Sequence, residues 1–131
     1  MAARTLIIAD DEPHLVHIVA YSLKKAGIHV EVASNGLECF ELACKLGPDL
    51  IVSDYQMPVL DGLQSCIRLK NDPRTSHIPV IMLTARGHRL SAEELARTNI
   101  QGVLPKPFSA RQLLAKMEEV LAKRVAGGIA A

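Results

Sequence analysis

The sequence predicts an α/β fold in which a doubly wound, five-stranded parallel sheet in the order 2-1-3-4-5 is packed between five helices. Apolar runs rich in Ile, Leu and Val lack the alternation of half-exposed strands, which is typical of strands buried on both faces. Helical patterns separate these runs. Strands that alternate with helices form parallel sheets with right-handed crossovers, so this regular alternation is the main basis for predicting the fold class.

Five apolar runs predict the strands, and four of them end at a polar residue. In chain order the runs are residues 6–9 before Asp10 and Asp11, residues 29–33, residues 50–53 before Asp54, residues 80–83 before Thr84, and residues 103–105 before Lys106. Ligands of such sheets bind beyond the carboxyl ends of the strands. The polar ends therefore predict one site made of three carboxylates, a hydroxyl and an ammonium.

Capping residues and breakers predict the limits of the helices. In chain order, the helices extend from Pro13 to Gly27, from Ser34-Asn35 to Gly47-Pro48, from Asp61 to Asn71-Asp72-Pro73, from Ser91, which forms a capping box with Glu94, and from Ser109. Apolar residues at helical spacing are expected to face the sheet. They are Leu15, Ile18, Val19 and Leu23; Leu37, Phe40, Leu42 and Leu46; Leu63, Ile67 and Leu69; and Leu113, Leu114, Met117, Val120 and Leu121.

Length and composition predict a single folded domain and exclude several classes of protein. The chain has 131 residues, 49% of them hydrophobic, and a net charge of +1. No helix carries a basic face, which argues against direct nucleic-acid binding. No apolar run approaches the roughly 20 residues of a membrane span, and the first residues show no signal-peptide pattern. We expect a cytoplasmic domain with no membrane contact.

The three cysteines lack the spacing of a metal site. Cys39 and Cys44 lie five positions apart on a predicted helix and point in different directions, and Cys66 is distant in sequence. We interpret them as small core residues in a reducing compartment.

Crowded carboxylates at the strand ends predict a bound cation. Like charges about 4 Å apart repel by on the order of 4 kcal/mol at an effective dielectric near 20. Asp10, Asp11 and Asp54 therefore need a counter-ion, and hard oxygen ligands favour Mg²⁺, with Mn²⁺ as a substitute. Asp10 and Asp11 alone could simply cap a helix, but that interpretation leaves Asp54 unexplained.

Thr84 and Lys106 suit a phosphoryl group placed on Asp54. Such a group brings about two negative charges and three acceptor oxygens. The ammonium offsets the charge and the hydroxyl donates to one oxygen. Because Lys106 precedes a proline and the cis form of such a bond costs only about 0.5–1 kcal/mol, we predict a cis Lys106–Pro107 bond that turns the ammonium into the pocket.

These motifs resemble the receiver domain of two-component response regulators. The matching residues are Asp10-Asp11, Asp54 followed by Met57-Pro58 and Asp61-Gly62, Thr84-Ala85, and Lys106-Pro107-Phe108. The resemblance covers residues 4–124, and we expect residues 125–131 to form a flexible tail. It implies a flavodoxin-like fold in which Asp54 accepts a phosphoryl group from a histidine kinase or a histidine phosphotransfer protein. A downstream protein effector, or onward transfer in a phosphorelay, would carry the output.

The resemblance also implies a role for each site residue. Asp11, Asp54 and the backbone carbonyl of Gln56 would bind Mg²⁺, while Asp10 would act largely through coordinated water. Lys106 would pair with the phosphoryl group, and Thr84 would move to hydrogen-bond it.

The chain departs from the family pattern around the pocket. Many receivers have an aromatic residue three positions before the lysine, where this chain has Val103, so we expect any relay to use Thr84 and backbone shifts. Gln56, Ala85 and Arg86 occupy positions that modulate the lifetime of the phosphoryl group in receivers. We hypothesise that Arg86 slows hydrolysis.

Two other functions are weighed against the signalling switch, which would catalyse only its own phosphorylation and dephosphorylation. A pseudo-receiver would act only as a protein-binding module. A Mg²⁺-dependent phosphohydrolase of the haloacid-dehalogenase type would need a second acid two residues after the nucleophile, where this chain has Gln56. The sequence leaves open which kinase and which downstream target the domain has, the regulated process, the oligomeric state and whether the chain is part of a longer protein.

Overall fold

The computed structural model describes residues 4–130, with side chains as far as Lys123. Five parallel strands form one sheet in the order β2-β1-β3-β4-β5, as predicted. The elements in chain order are β1 (Thr5–Ala9), α1 (Pro13–Lys25), β2 (His29–Ala33), α2 (Gly36–Leu46), β3 (Leu50–Asp54), α3 (Gly62–Lys70), β4 (Val80–Thr84), α4 (Ala92–Ala96), β5 (Ile100–Pro105) and α5 (Ala110–Ala130).

The sheet separates two apolar cores, and alternate residues of each central strand contribute to each core. In β1, Leu6 and Ile8 pack with residues of α1 and α5, whereas Ile7 and Ala9 pack with residues of α2 and α3. All residues of β3 and β4 are buried. The three central strands are therefore covered on both faces, which explains why their sequences show no alternation.

The edge strands are only partly covered, which the sequence pattern did not indicate. In β2, His29 and Val32 are exposed. β5 begins at Ile100, three residues before the predicted run, and its Gln101 faces solvent. A polar residue is tolerated there because an edge strand has a partner on one side only.

Two of the predicted helix faces each contain one residue that is exposed instead of buried. Ile18 is 62% exposed, and Val16 occupies the buried position in α1. In α2, Leu46 is 40% exposed while Cys39 and Ala43 face the sheet. Small side chains let this helix pack closely against the sheet, so the longest apolar residues are not the most buried ones.

Cys44 is only half-buried, but the interpretation of the cysteines as small core residues is confirmed for Cys39 and Cys66. Both of these residues are buried, and burial raises the pKa of the Cys66 thiol and raises that of the Cys39 thiol to about 12. These thiols therefore stay protonated and serve as small core residues.

The predicted helix starts are confirmed at four caps. Side chains of Asn35, Asp61, Ser91 and Ser109 accept hydrogen bonds from the backbone amides three residues later. Helix α5 continues to Ala130, so residues 125–130 have a helical backbone where the sequence predicted a tail; their side chains and Ala131 lie outside the described residues. The flexibility of that segment stays a prediction.

Within the described residues, no helix combines the length and apolar character needed to cross a bilayer.

Candidate functional site

The carboxyl edge of the sheet carries the polar residues that the sequence predicted there. Asp10 directly follows β1, Asp54 ends β3, Thr84 ends β4, and Lys106 directly follows β5. Strands β1 and β3 pair directly, so the residues beyond their ends are neighbours. The fold thereby brings together groups that lie up to 96 positions apart in the chain.

Three carboxylates form an acidic cluster at this edge. One oxygen from each of Asp10, Asp11 and Asp54 lies within 4.8 Å of the others. Asp10 is buried, Asp54 is 9% exposed, and Asp11 is exposed. Hard oxygen donors in this arrangement suit a small divalent cation, and the exposed position of Asp11 leaves one side accessible from solvent.

The electrostatics of the cluster act against the ionised form of Asp54. Burial raises the pKa of this carboxyl, and the neighbouring charge of Asp10 raises it further. The positive charge of Lys106 and its hydrogen bond lower the pKa, but not enough to cancel the first two effects. A cation at the site would therefore stabilise the charged form of Asp54.

The ammonium of Lys106 lies between two of these carboxylates. Its Nζ is 3.1 Å from Asp10 Oδ2, 3.4 Å from Asp54 Oδ2 and 4.0 Å from Glu12 Oε1. Partial burial lowers the pKa of Lys106, but the hydrogen bond and charge of Asp10 and the charges of Asp54 and Glu12 outweigh it, so the pKa is raised. The Lys106–Pro107 bond is cis, as predicted.

The two oxygens of Asp10 have separate partners. Oδ1 accepts a hydrogen bond from the backbone amide of Glu12 at 2.9 Å, and Oδ2 accepts one from Lys106. The side chain is thus oriented by the loop after β1 as well as by the lysine. This geometry holds one charge of the cluster in a fixed place.

Thr84 supplies a hydroxyl that has no partner among the described residues. The side chain is fully buried, and its Oγ1 makes no hydrogen bond there. The backbone carbonyl of Thr84 accepts a hydrogen bond from the amide of Lys106 at 2.8 Å, which links the ends of β4 and β5. Burying a hydroxyl without an acceptor costs free energy. An oxygen that enters the site and accepts a hydrogen bond from Oγ1 would remove this cost.

A pocket of about 370 Å³ opens over the cluster. Its lining residues are Asp11, Glu12, Asp54, Tyr55, Gln56, Ala85, His88 and Lys106. Of the residues expected to modulate the site, Gln56 and Ala85 therefore border the pocket. Arg86 is exposed and does not line it.

The backbone of Asp54 is held by a close approach at Gly62. The amide of Gly62 donates to the carbonyl of Tyr55 at 2.9 Å, and a Cβ at Gly62 would collide with the carbonyl oxygen of Asp54. Two residues before Gly62, the carbonyl of Leu60 accepts a hydrogen bond from the amide of Gly36 in α2 at 2.9 Å. The loop between β3 and α3 is therefore fixed against α2, which sets the position of Asp54.

Two pocket residues, Tyr55 and His88, were missed from the sequence. Their ring centroids lie 4.5 Å apart, and the Tyr55 hydroxyl donates to Glu94 Oε2 at 2.9 Å. The available signal was the position of Tyr55 directly after Asp54 in a chain with only two tyrosines and two phenylalanines. No spacing in the sequence connects it with a residue 39 positions later.

Two known proteins match most of this chain in sequence. The DNA-binding dual master transcriptional regulator RpaA of Synechocystis sp. is 37% identical over 116 residues, which cover 88% of this chain and 48% of that protein. The phosphate regulon transcriptional regulatory protein PhoB of Pseudomonas aeruginosa is 34% identical over 121 residues, which cover 92% of this chain and 53% of that protein. The chain spans about half the length of these relatives.

A solved structure and a family model match nearly the whole chain. The chemotaxis response regulator CheY4 of Vibrio cholerae superimposes with a TM-score of 0.83 at 28% identity, covering 91% of this chain and 99% of that one. The model of the response regulator receiver domain matches residues 6–118. The chain therefore belongs to the response regulator receiver domain family, whose members include the phosphorylatable regulators of two-component signalling.

Proposed function

We propose that Asp54 is the residue that takes the phosphoryl group in this receiver domain. The observation that carries the proposal is the shared ammonium: Lys106 lies within 3.4 Å of Asp54 and 3.1 Å of Asp10. This places a positive charge beside the carboxylate that would become an acyl phosphate. Asp54 also lines the open pocket, so a donor can reach it.

The transfer we propose is a displacement at phosphorus. A carboxylate oxygen of Asp54 forms a bond to the phosphorus of a phosphohistidine, the P–N bond breaks, and its electron pair goes to the imidazole nitrogen. Lys106 offsets the charge on the transferred group, and the Thr84 hydroxyl donates to one of its oxygens. A separate hydrolysis ends the signal: a water oxygen bonds to phosphorus, the P–O bond to Asp54 breaks with its electron pair returning to the carboxylate, and inorganic phosphate leaves.

Mg²⁺ is the cofactor we propose for this chemistry, with Mn²⁺ able to replace it. Asp11, Asp54 and the backbone carbonyl of Gln56 would hold the ion, and Asp10 would act largely through coordinated water. The spacing and hard oxygen donors of the cluster support this assignment. When bound, the ion supplies charge neutralisation for the phosphoryl oxygens.

The partners follow from the chemistry of the transferred group. A histidine kinase or a histidine phosphotransfer protein would supply it, and a downstream protein effector would recognise the phosphorylated form. The domain itself would not contact nucleic acid, since its net charge is only +1. We propose that it works in the cytoplasm, where free thiols such as those of Cys39 and Cys66 stay reduced.

The proposed domain would catalyse only its own phosphorylation and dephosphorylation. The phosphohydrolase alternative lacks support because the amide of Gln56 cannot act as a general acid. The pseudo-receiver alternative leaves the assembly of Asp54, Lys106 and the unpartnered Thr84 hydroxyl without a role.

Incubation with acetyl phosphate and Mg²⁺, followed by intact mass measurement, tests the proposal. We expect a single adduct with the mass of one phosphoryl group, absent in Asp54→Asn and retained in Asp72→Asn, whose carboxylate lies at the surface beside Arg74. An adduct in Asp54→Asn would place the phosphoryl group elsewhere. No adduct in the parent would favour the pseudo-receiver, and repeated turnover of small phosphate esters would favour the hydrolase.

A further inference from the structure

We infer that Tyr55 transmits the state of Asp54 to helix α4, an inference that depends on the proposed phosphorylation of Asp54. Tyr55 follows Asp54 directly in the chain, and its hydroxyl donates to Glu94 Oε2 at 2.9 Å. One residue therefore touches both the proposed phosphorylation site and the first turn of α4. In this role Tyr55 is a positioning residue.

Helix α4 is held in place by polar contacts rather than by burial. It contains five residues, none of them buried, and Leu95 is 39% exposed. Glu94 uses both carboxylate oxygens: Oε1 accepts from the amide of Ser91 at 2.8 Å, and Oε2 accepts from Tyr55. Because no residue of α4 is buried, we infer that the hydrogen bond from Tyr55 contributes to the position of this helix.

The other end of Tyr55 forms part of the pocket wall. Its backbone is anchored, since its amide donates to the carbonyl of Leu83 at 2.9 Å and its carbonyl accepts from Gly62. Its ring contacts His88, and both side chains line the pocket over Asp54. A group that fills this pocket meets the ring, and movement of the ring acts on Glu94.

The sequence of β5 bears on the contact between Tyr55 and Glu94, because β5 carries Val103 and no aromatic residue. Val103 stands where many receivers carry an aromatic side chain, and it is only partly buried. Val103 and Tyr55 both pack against the core formed with α2 and α3. Tyr55, which directly follows β3, is therefore an aromatic side chain that packs against this core and whose hydroxyl also reaches α4.

The test compares how α4 responds to phosphorylation in Tyr55→Phe and in the parent. Amide resonances of residues 92–96 are recorded with and without acetyl phosphate and Mg²⁺, and intact mass gives the phosphorylated fraction of each sample. In Tyr55→Phe we expect the shift per phosphorylated molecule to fall by about half or more, because only interactions that differ between the two states move the equilibrium. The resonances of Thr84 and Lys106 should respond as in the parent.

Two further variants make the result specific. Tyr21→Phe removes the same hydroxyl from an exposed tyrosine of α1 and should leave the response unchanged. Glu94→Gln keeps a side chain able to complete the capping box but weakens the acceptor for Tyr55, so it should reproduce the loss. If α4 responds in phosphorylated Tyr55→Phe or Glu94→Gln as it does in the parent, this inference is wrong, while the proposed phosphorylation of Asp54 stands. An unphosphorylated parent would overturn the proposed function, and this inference with it.

Discussion

Lys106 Nζ lies 3.1 Å from Asp10 Oδ2, closer than its 3.4 Å separation from Asp54 Oδ2. The lysine is therefore the counter-ion of a buried structural carboxylate as well as a neighbour of the proposed phosphorylation site. The side chain of Asp10 is fully buried, so Lys106 supplies an opposite charge to a carboxylate that is shielded from water. The contact between Lys106 and Asp10 therefore affects both the stability of the domain and the proposed phosphorylation of Asp54.

Replacing Lys106 should lower stability while the domain still folds. Lys106→Ala leaves the Asp10 charge without its partner, and hydrogen bonds to charged groups contribute about 1.5–3 kcal/mol. We expect the free energy of unfolding to fall by about 1–3 kcal/mol at neutral pH, measured by urea denaturation. Lys123→Ala, on the exposed face of α5, should change it by less than about 0.5 kcal/mol. Equal losses in the two variants would contradict this role of Lys106.

The raised pKa of Asp54 predicts a gain in stability on its neutralisation. A carboxyl whose pKa is higher in the folded state than its unfolded value of 3.8 binds its proton more tightly in the folded state. The free energy of unfolding therefore falls as the pH rises through the range between the unfolded and the folded pKa. Asp54→Asn should therefore be more stable than the parent at pH 7, and the difference should shrink as the pH approaches 4. Urea midpoints measured across this range check the sign. A gain that is the same at every pH would point to a cause other than charge.

Divalent cations should stabilise the domain through the acidic cluster. A ligand at 100 times its dissociation constant adds about 2.7 kcal/mol to the free energy of unfolding. We expect Mg²⁺ and Mn²⁺ to raise the melting temperature of the parent and to have a much smaller effect on Asp11→Asn, which removes the charge of an exposed proposed ligand. Potassium chloride at the same ionic strength serves as the control. If it stabilises the protein as much as Mg²⁺ does, general screening and not a site explains the effect.

Arg86 is expected to prolong the life of the phosphorylated form. Its exposed position outside the pocket lining limits the size of this effect. An exposed charge contributes about 1 kcal/mol or less, and about 1.4 kcal/mol corresponds to a factor of ten. Arg86→Ala should therefore lose the phosphoryl group faster by less than about tenfold. Decay followed by intact mass, with Arg89→Ala as the control on the same loop, tests this; equal or slower decay in Arg86→Ala would refute the hypothesis.

Local signals accounted for most of the secondary structure. The caps at Asn35, Asp61 and Ser91 are properties of a few consecutive residues, so they were visible in the sequence. The buried faces of α1 and α2 were less predictable. Ile18 is exposed and Cys39 is buried because the fit of each helix against the sheet, and not hydrophobicity alone, selects the face.

The sequence by itself determined that Asp10, Asp54, Thr84 and Lys106 would meet, because each follows or ends a strand and parallel strands end at one edge. Only the tertiary structure decided that Lys106 lies nearest to Asp10 and that the Tyr55 hydroxyl bonds to Glu94. Those pairings depend on the paths of loops and the placement of a short helix. Such positions result from packing over the whole domain, so no local pattern records them.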